Sequence, residues 1–249
     1  MTSQLEPPKS KPLVGKLIES KSISRLSFTD YRETVRRHYD GLAGALLETG
    51  SLLAFHRQFV PRLFGPKSLD LSRCERILDA GSGSGQFLRH IVRRAAPNAH
   101  ISCFDLSLAM LQRSRKRLKS DRPRPVVADL TRLPYRDGVF DCVVLGWVIE
   151  HLPDPRAGLA EVCRVLRPGG KALIVATEST FPGAWVSRIW KCRTYERDEL
   201  RAACQAVGLR WNRVFWWTPV HALFKLGGIQ VEVAKGGNGS GGETLERVR

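Results

Sequence analysis

The sequence predicts an α/β fold: a mostly parallel sheet of seven strands with helices on both faces, preceded by a helical cap. Three observations predict it. From residue 75 onward, short apolar runs alternate with stretches of helical spacing, the pattern of strands joined by crossover helices. The first run leads directly into "AGSGSGQF" (80–87), a glycine-rich turn from strand to helix. Aspartates stand at or near the ends of three successive runs, at Asp79, Asp105 and Asp129.

The elements follow in order. Residues 1–27 are rich in Pro, Ser and Lys and read as a loosely ordered basic segment. Apolar residues at helical spacing over 28–64, interrupted at Gly41 and ended near Pro61, read as two helices. With the turn after them they form a cap at 28–70. The main domain is expected at 71–235. In it, "RILDA" (76–80) is a buried strand, and "GQFLRHIVRRAA" (85–96) is a helix closed by Pro97 and Asn98. "HISCFDL" (100–106) is the second strand, and Ser107 caps the helix that follows, "SLAMLQRSRKRLK". "PVVADL" (125–130) is the third strand, and the fourth begins "FDCVVLGWVIEHL" (140–152). A helix at 154–166 leads to the fifth strand, "KALIVATE" (171–178). After a helix at 197–206, "LRWNRVFWW" (209–217) and "GIQVEVA" (228–234) extend the sheet edge, and 236–249 is a flexible tail. Right-handed crossovers make such a sheet parallel and cover both faces.

Composition narrows the classes. Forty Lys and Arg against 24 Asp and Glu give a formal charge of +16. That charge suits an anionic neighbour such as nucleic acid, anionic lipid or an acidic substrate, or serves only solubility. The six cysteines form no C-x-x-C pair, which argues against a zinc site and for reduced thiols in a cytoplasmic compartment. No window reaches the roughly 20 apolar residues of a membrane span. The first 27 residues lack the apolar core of a signal peptide, and their two glutamates and three prolines spoil a transit helix.

Glycines at 81, 83 and 85 mark a small-molecule site at the carboxyl end of the first strand, because only a residue without Cβ lets a ligand lie against the backbone. The nicotinamide fingerprint wants glycine at 86, where this chain has Gln86, and no Gly-Lys-Ser/Thr phosphate loop is present. Asp105 lies 20 residues beyond Gly85, placed for ribose hydroxyls. Asp129 suits an adenine amine, and Asp79 under the turn suits an ammonium or sulfonium. Three carboxylates favour a cationic nucleoside over a pyrophosphate, which points to S-adenosylmethionine.

"ILDAGSGSGQF", "CFDLS", "VVADLTRLPYRDGVFDCVVLGWVIEHLPDP" and "VLRPGGKALIVAT" resemble the successive motifs of the class I S-adenosylmethionine-dependent methyltransferases, over about residues 75–178. The resemblance implies a Rossmann-like fold. It implies that Asp79, Gly81, Gly83 and Gly85 hold the methionine end of the cofactor, Asp105 the ribose and Asp129 the adenine. Leu106 and Leu130 would pack on the adenine faces. Methyl transfer from a sulfonium is an in-line displacement, so the protein aligns the nucleophile and excludes water. "GWVIEHLPDP" ends the fourth strand beside the transferable group in that fold, making His151 and Glu150 the candidate catalytic residues. The same segment is similar to one in ubiquinone-biosynthesis O-methyltransferases, where a Glu-x-x-Glu-His run binds a divalent metal. Here the first glutamate position holds Trp147. No metal is therefore expected, and Trp147 is expected to line the pocket.

The pocket walls are read from composition. "HYDGLAGALL" resembles the segment that closes over the cofactor in many small-molecule methyltransferases, which brings Tyr31, His38 and Tyr39 into consideration. An insert at 179–193 alternates Phe181, Trp185 and Trp190 with Arg188, Lys191 and Arg193, fitting a lid, a membrane-interface segment or a packed loop. His221, in the apolar cluster 214–228, is either structural or turned to the pocket. The run 112–125 holds seven basic residues, suited to a solvated face, lipid headgroups or RNA phosphates. The expected acceptor is a small or lipid-like molecule, such as a quinone precursor or a phospholipid amine, met in the cytoplasm or at an anionic membrane surface. An RNA methyltransferase is the alternative, but the chain has no Asn/Asp-Pro-Pro-Tyr/Phe motif, and nucleic acid rests on charge alone. A non-catalytic cofactor-binding scaffold is the other alternative. Oligomeric state is not legible.

Overall fold

The computed structural model describes residues 27–40, 57–223 and 228–236. Most of the second cap helix, the basic N-terminal segment and the tail lie outside them, as do the side chains of His38 and Tyr39. Helix α1 (Phe28–Asp40) opens the described chain, and the Ser27 hydroxyl caps it by accepting the Asp30 N–H at 3.1 Å. A short helical turn over 57–63 follows.

The sheet then builds outward from its middle. Strand β1 (Arg76–Ala80) runs into α2 (Leu88–Arg94), β2 (His100–Asp105), α3 (Leu108–Leu118) and β3 (Pro123–Val127), reaching one edge. The chain returns to β4 (Phe140–Gly146) on the other side of β1, and continues through α4 (Pro155–Val165) to β5 (Leu166–Ala176). Helices α5 (Phe181–Trp190) and α6 (Arg197–Ala206) precede β6 (Leu209–Val214), α7 (Pro219–Leu223) and β7 (Ile229–Lys235). The strand order is β3-β2-β1-β4-β5-β7-β6. The first five strands are parallel, and β7 is antiparallel to both β5 and β6. The expected seven-stranded, mostly parallel sheet is the observed one.

Local chemistry explains the helix starts. Ser107 accepts the Met110 N–H at 3.0 Å, Asp154 accepts from Arg156 with Pro155 in the first turn, and Thr180 accepts from Gly183. Each satisfies a backbone donor that has no intrahelical partner. Several boundaries differ from expectation; the last-but-one strand ends at Val214 instead of 217, and the first crossover helix covers Leu88–Arg94 instead of 85–96. Strand β3 covers 123–127 instead of 125–130, because Pro123 and Pro125 sit on an edge strand that has no outer neighbour to serve. Strand β5 begins at Leu166, before a register shift against β4.

Alternate strand residues feed two cores. One face presents Leu78, Phe104, Val143, Leu145 and Ile174 to α4 and α6. The other presents Ile77, Ile101, Val144 and Val175 to α2 and the 57–63 turn. These side chains are buried, each contributing about 1.5–3 kcal/mol. Burial on both faces is why the central strands read as continuous apolar runs. Among the described residues, no helix is long and apolar enough to cross a membrane.

Candidate active site

Because the chain leaves β1 toward one edge and returns at β4 toward the other, the carboxyl ends of β1 and β4 face a crevice. Open α/β sheets bind ligands at such a switch point. A cavity of about 580 Å³ occupies it.

Asp79, Gly81, Gly83, Asp105, Leu106, Trp147, Glu150 and His151 all line this cavity. Gly81 adopts φ +65°, and a Cβ there would meet the Val148 side chain at 2.5 Å. Gly83 adopts φ +51°, with nothing within 4 Å of where its Cβ would stand. The first glycine admits a close neighbour, and the second leaves open space beside the backbone. Arg117, from the basic run, donates to Ser84 Oγ on the same turn.

Gly85, Asp129 and Leu130 do not belong to the cavity wall. A Cβ on Gly85 would meet Ser114 Oγ at 2.6 Å, so this glycine permits close approach of α3. Leu130 is buried in the core, packed where Gly158 leaves room for it. Asp129 lies two residues beyond β3 and is ion-paired with Arg32.

The carboxylates at the glycine turn are polarised against each other. Asp79 is 1% exposed, and its Oδ2 has no hydrogen-bond partner among the described residues. Burial and the nearby charge of Asp105 push it up to about 8. Asp105 accepts the Gly83 N–H at 2.8 Å on one oxygen and the Ser107 N–H at 2.9 Å on the other. A buried acceptor without a partner, beside a glycine turn open to a ligand, fits the ammonium and ribose of S-adenosylmethionine.

The other half of the cavity is built by β4, β5 and α5. Trp147 adopts φ +54°, uncommon for a residue with Cβ, and its N–H bonds the Val175 carbonyl at 2.8 Å. Its ring lies 5.5 Å from Phe87, edge-on, and 6.4 Å from Trp217. Glu150 is buried and accepts the Thr177 hydroxyl at 2.5 Å and the Thr177 N–H at 3.3 Å. Burial pushes its carboxyl up to about 7, against the pull of those bonds. His151 shares the turn Ile149–His151 and is also buried.

Sequence reasoning did not single out Thr177 or Glu178, which directly follow β5 and line the same cavity. Their position at a strand's carboxyl end was the available signal. Glu178 is held by Arg197 at 2.6 Å. His221 faces the cavity, its Nδ1 2.7 Å from the Thr218 hydroxyl. Tyr31 reaches the cavity from α1. Among the described residues, no cluster of His, Cys, Asp and Glu is placed to hold a metal.

Comparison with known proteins agrees with this geometry. The methyltransferase-domain family model matches residues 78–174. The demethylmenaquinone methyltransferase of Clavibacter sepedonicus is 34% identical over 151 residues, 60% of this chain and 60% of that protein. The same-named protein of Mycolicibacterium gilvum is 31% identical over 169 residues, 68% of this chain and 71% of that one. The match thus spans less than two thirds of the Clavibacter relative. The solved N-methyltransferase NodS of Bradyrhizobium japonicum, in complex with S-adenosyl-L-homocysteine, is 14% identical. It aligns over 82% of this chain and 98% of its own with a TM-score of 0.60, a likeness of fold. With its strand order, its glycine turn and these relatives, the chain belongs to the class I S-adenosylmethionine-dependent methyltransferases.

Proposed function

We propose that this chain transfers the methyl group of S-adenosylmethionine to a small, lipid-like acceptor carrying an acidic hydroxyl or a hydroquinone-type ring. The observation that carries the reading is one continuous cavity. It joins the glycine turn and Asp79 at one end to the buried carboxyl of Glu150 and an aromatic wall at the other. When bound, the cofactor supplies the electrophilic methyl group. Asp79 then takes its ammonium, and Asp105 accepts the ribose hydroxyls. Glu150 takes the acceptor's proton; a carboxyl near 7 both receives and releases one at neutral pH. Thr177 orients it. Trp147 covers the acceptor side and excludes water.

Support for a lipid-like acceptor comes from α5. Phe181, Trp185, Val186 and Ile189 are exposed on this helix, beside the exposed cations Arg188 and Lys191. Pro182, Gly183, Val186 and Trp190 of the same helix line the cavity. An apolar, basic surface at a pocket mouth suits an anionic lipid headgroup layer, from which an apolar acceptor would enter. The relatives named for demethylmenaquinone accord with an acceptor of this class.

The test is incubation with methyl-labelled cofactor and a fractionated host extract. Label is expected in the organic-solvent fraction, at a rate rising as pH climbs through about 7. Glu150→Gln is expected to lower kcat about 100-fold and flatten that pH profile. Label confined to RNA would overturn the acceptor class, and an unchanged pH profile in the variant would remove Glu150 from the chemistry.

A further inference from the structure

A second cavity, of about 420 Å³, lies between α3 and the edge strand β3 and shares no wall residue with the first. Small side chains leave this space unfilled. Cys103 and Pro125 are register partners across β2 and β3, and Ser114 of α3 lines the cavity beside them. The floor is buried: Leu88, Cys103, Leu111 and Ser114 are all withdrawn from solvent. Burial pushes the Cys103 thiol up to about 12, so it stays neutral and acts as a small apolar group. The rim is exposed and carries Arg115, Arg124 and Asp121. Arg115 and Asp121 stand 3.6 Å apart with side chains 75% and 92% exposed, a pair too solvated to hold the arginine back from a ligand. The α3–β3 connection that forms the mouth is fixed in place, because the Arg122 guanidinium donates to the Val92 carbonyl at 2.9 Å and the Ala96 carbonyl at 2.5 Å at the end of α2. A buried apolar floor under a rim with two arginines suits an organic anion, and the planar guanidinium matches a carboxylate.

We propose that this cavity is a second ligand site, taking a small carboxylate with an apolar body, and that its occupancy tightens cofactor binding through the glycine turn. The coupling rests on the cofactor reading given above. Ser114 and Leu118 stand between the two sites: both line the second cavity, and a Cβ on Gly85 would meet Ser114 Oγ at 2.6 Å and Leu118 Cδ1 at 2.8 Å. Helix α3 therefore lies directly on the backbone of the turn. Arg117 of the same helix donates to Ser84 Oγ. A ligand behind Ser114 and Leu118 takes away their room to retreat and holds α3 on the turn. The turn is then ordered before the cofactor arrives, which lowers the ordering cost of binding it. Linkage makes the effect reciprocal, so the cofactor tightens the second ligand by the same factor.

The probe is 2-naphthoate, titrated by calorimetry into wild type and into the double variant Arg115→Glu, Arg124→Glu. Both positions are exposed, so Tm is expected to be unchanged. The double variant is expected to bind naphthoate at least about tenfold more weakly, as for loss of hydrogen bonds to a charged group. The uncharged 2-naphthamide is expected to bind wild type at least about tenfold more weakly than naphthoate does. Saturating naphthoate is expected to tighten S-adenosylhomocysteine about threefold in wild type and not at all in the variant, whose affinity without naphthoate stays that of wild type. No binding of naphthoate at millimolar concentration overturns the site. Equal binding by the double variant, or displacement of naphthoate by S-adenosylhomocysteine, also overturns it by placing the probe in the first cavity. An S-adenosylhomocysteine affinity that naphthoate leaves unmoved overturns the coupling. Failure of wild type to bind S-adenosylhomocysteine would bring down the cofactor reading, and the naphthoate titrations would still decide the second site.

Discussion

Asp79 shows how one residue's surroundings turn a charge into a recognition device. Its carboxyl is buried, pushed up to about 8, and lacks a partner on one oxygen among the described residues. At pH 7 the Asp79 carboxyl therefore holds a proton before ligand binds. A ligand ammonium arriving beside it favours the charged form and expels that proton. Calorimetry of S-adenosylhomocysteine binding in phosphate and in Tris is expected to give different heats, corresponding to release of up to about one proton. Affinity is expected to rise between pH 6 and pH 8 and then level off. Asp79→Asn is expected to abolish the buffer dependence. Equal heats in both buffers with wild type would mean that Asp79 does not meet the ligand's cation.

At the scale of elements, helix α5 has two faces with different work. Ala184, Ser187 and Gly183 bury one side, the last so tightly that a Cβ would meet the Glu178 carbonyl at 1.9 Å. The other side exposes Trp185 at 55% and Phe181 at 59%. Exposed side chains contribute little to folding, so replacing them isolates their surface role. The double variant Phe181→Ser, Trp185→Ser is expected to lose at least about tenfold in binding to vesicles containing phosphatidylglycerol, with Tm unchanged. Arg188→Gln is expected to weaken binding mainly at low salt. Retained vesicle binding in the double variant would remove α5 from the membrane reading. The wild-type sequence already contained the aromatic and basic alternation; that it forms a capped helix with one face in the cavity was visible only once Thr180 and Pro182 were seen to start it.

Over the whole molecule, the switch-point architecture concentrates buried acids where strands end, and this leaves a pH signature. Asp79 and Glu150 both have folded values raised above their unfolded ones, to about 8 and about 7. The folded state therefore binds more protons than the unfolded state between their two values, and stability falls as pH rises through that range. His90 has the opposite sign: burial and the nearby Arg89, Arg93 and Arg94 charges lower it to about 4. Its contribution is present above about 6.5 and lost as pH falls toward 4. The clean window is thus pH 6.5 to 8.5. Ligand-free protein is expected to show a falling Tm across that window, and Asp79→Asn a flatter slope. A Tm that climbs over the window would contradict the burial of both acids.

The class of fold, the glycine turn and the placement of Asp79 and Asp105 were determined by the sequence alone. They depend on local chemistry: apolar period, turn residues without Cβ, and carboxylates at strand ends, each contained in a few consecutive positions. The β3 edge strand starts two residues and ends three residues earlier than expected, because proline forbids a central strand but not an outer one. What only tertiary structure decided is which face each side chain meets. Gly85 serves the packing of α3, Leu130 enters the core, and Asp129 holds Tyr31 and Arg32. Glu150 is raised by burial among elements distant in sequence, against the pull of hydrogen bonds from Thr177, 27 positions later. Periodicity records on which face of its own helix or strand a residue lies. It carries no record of which remote segment closes over it, and packing alone supplies that.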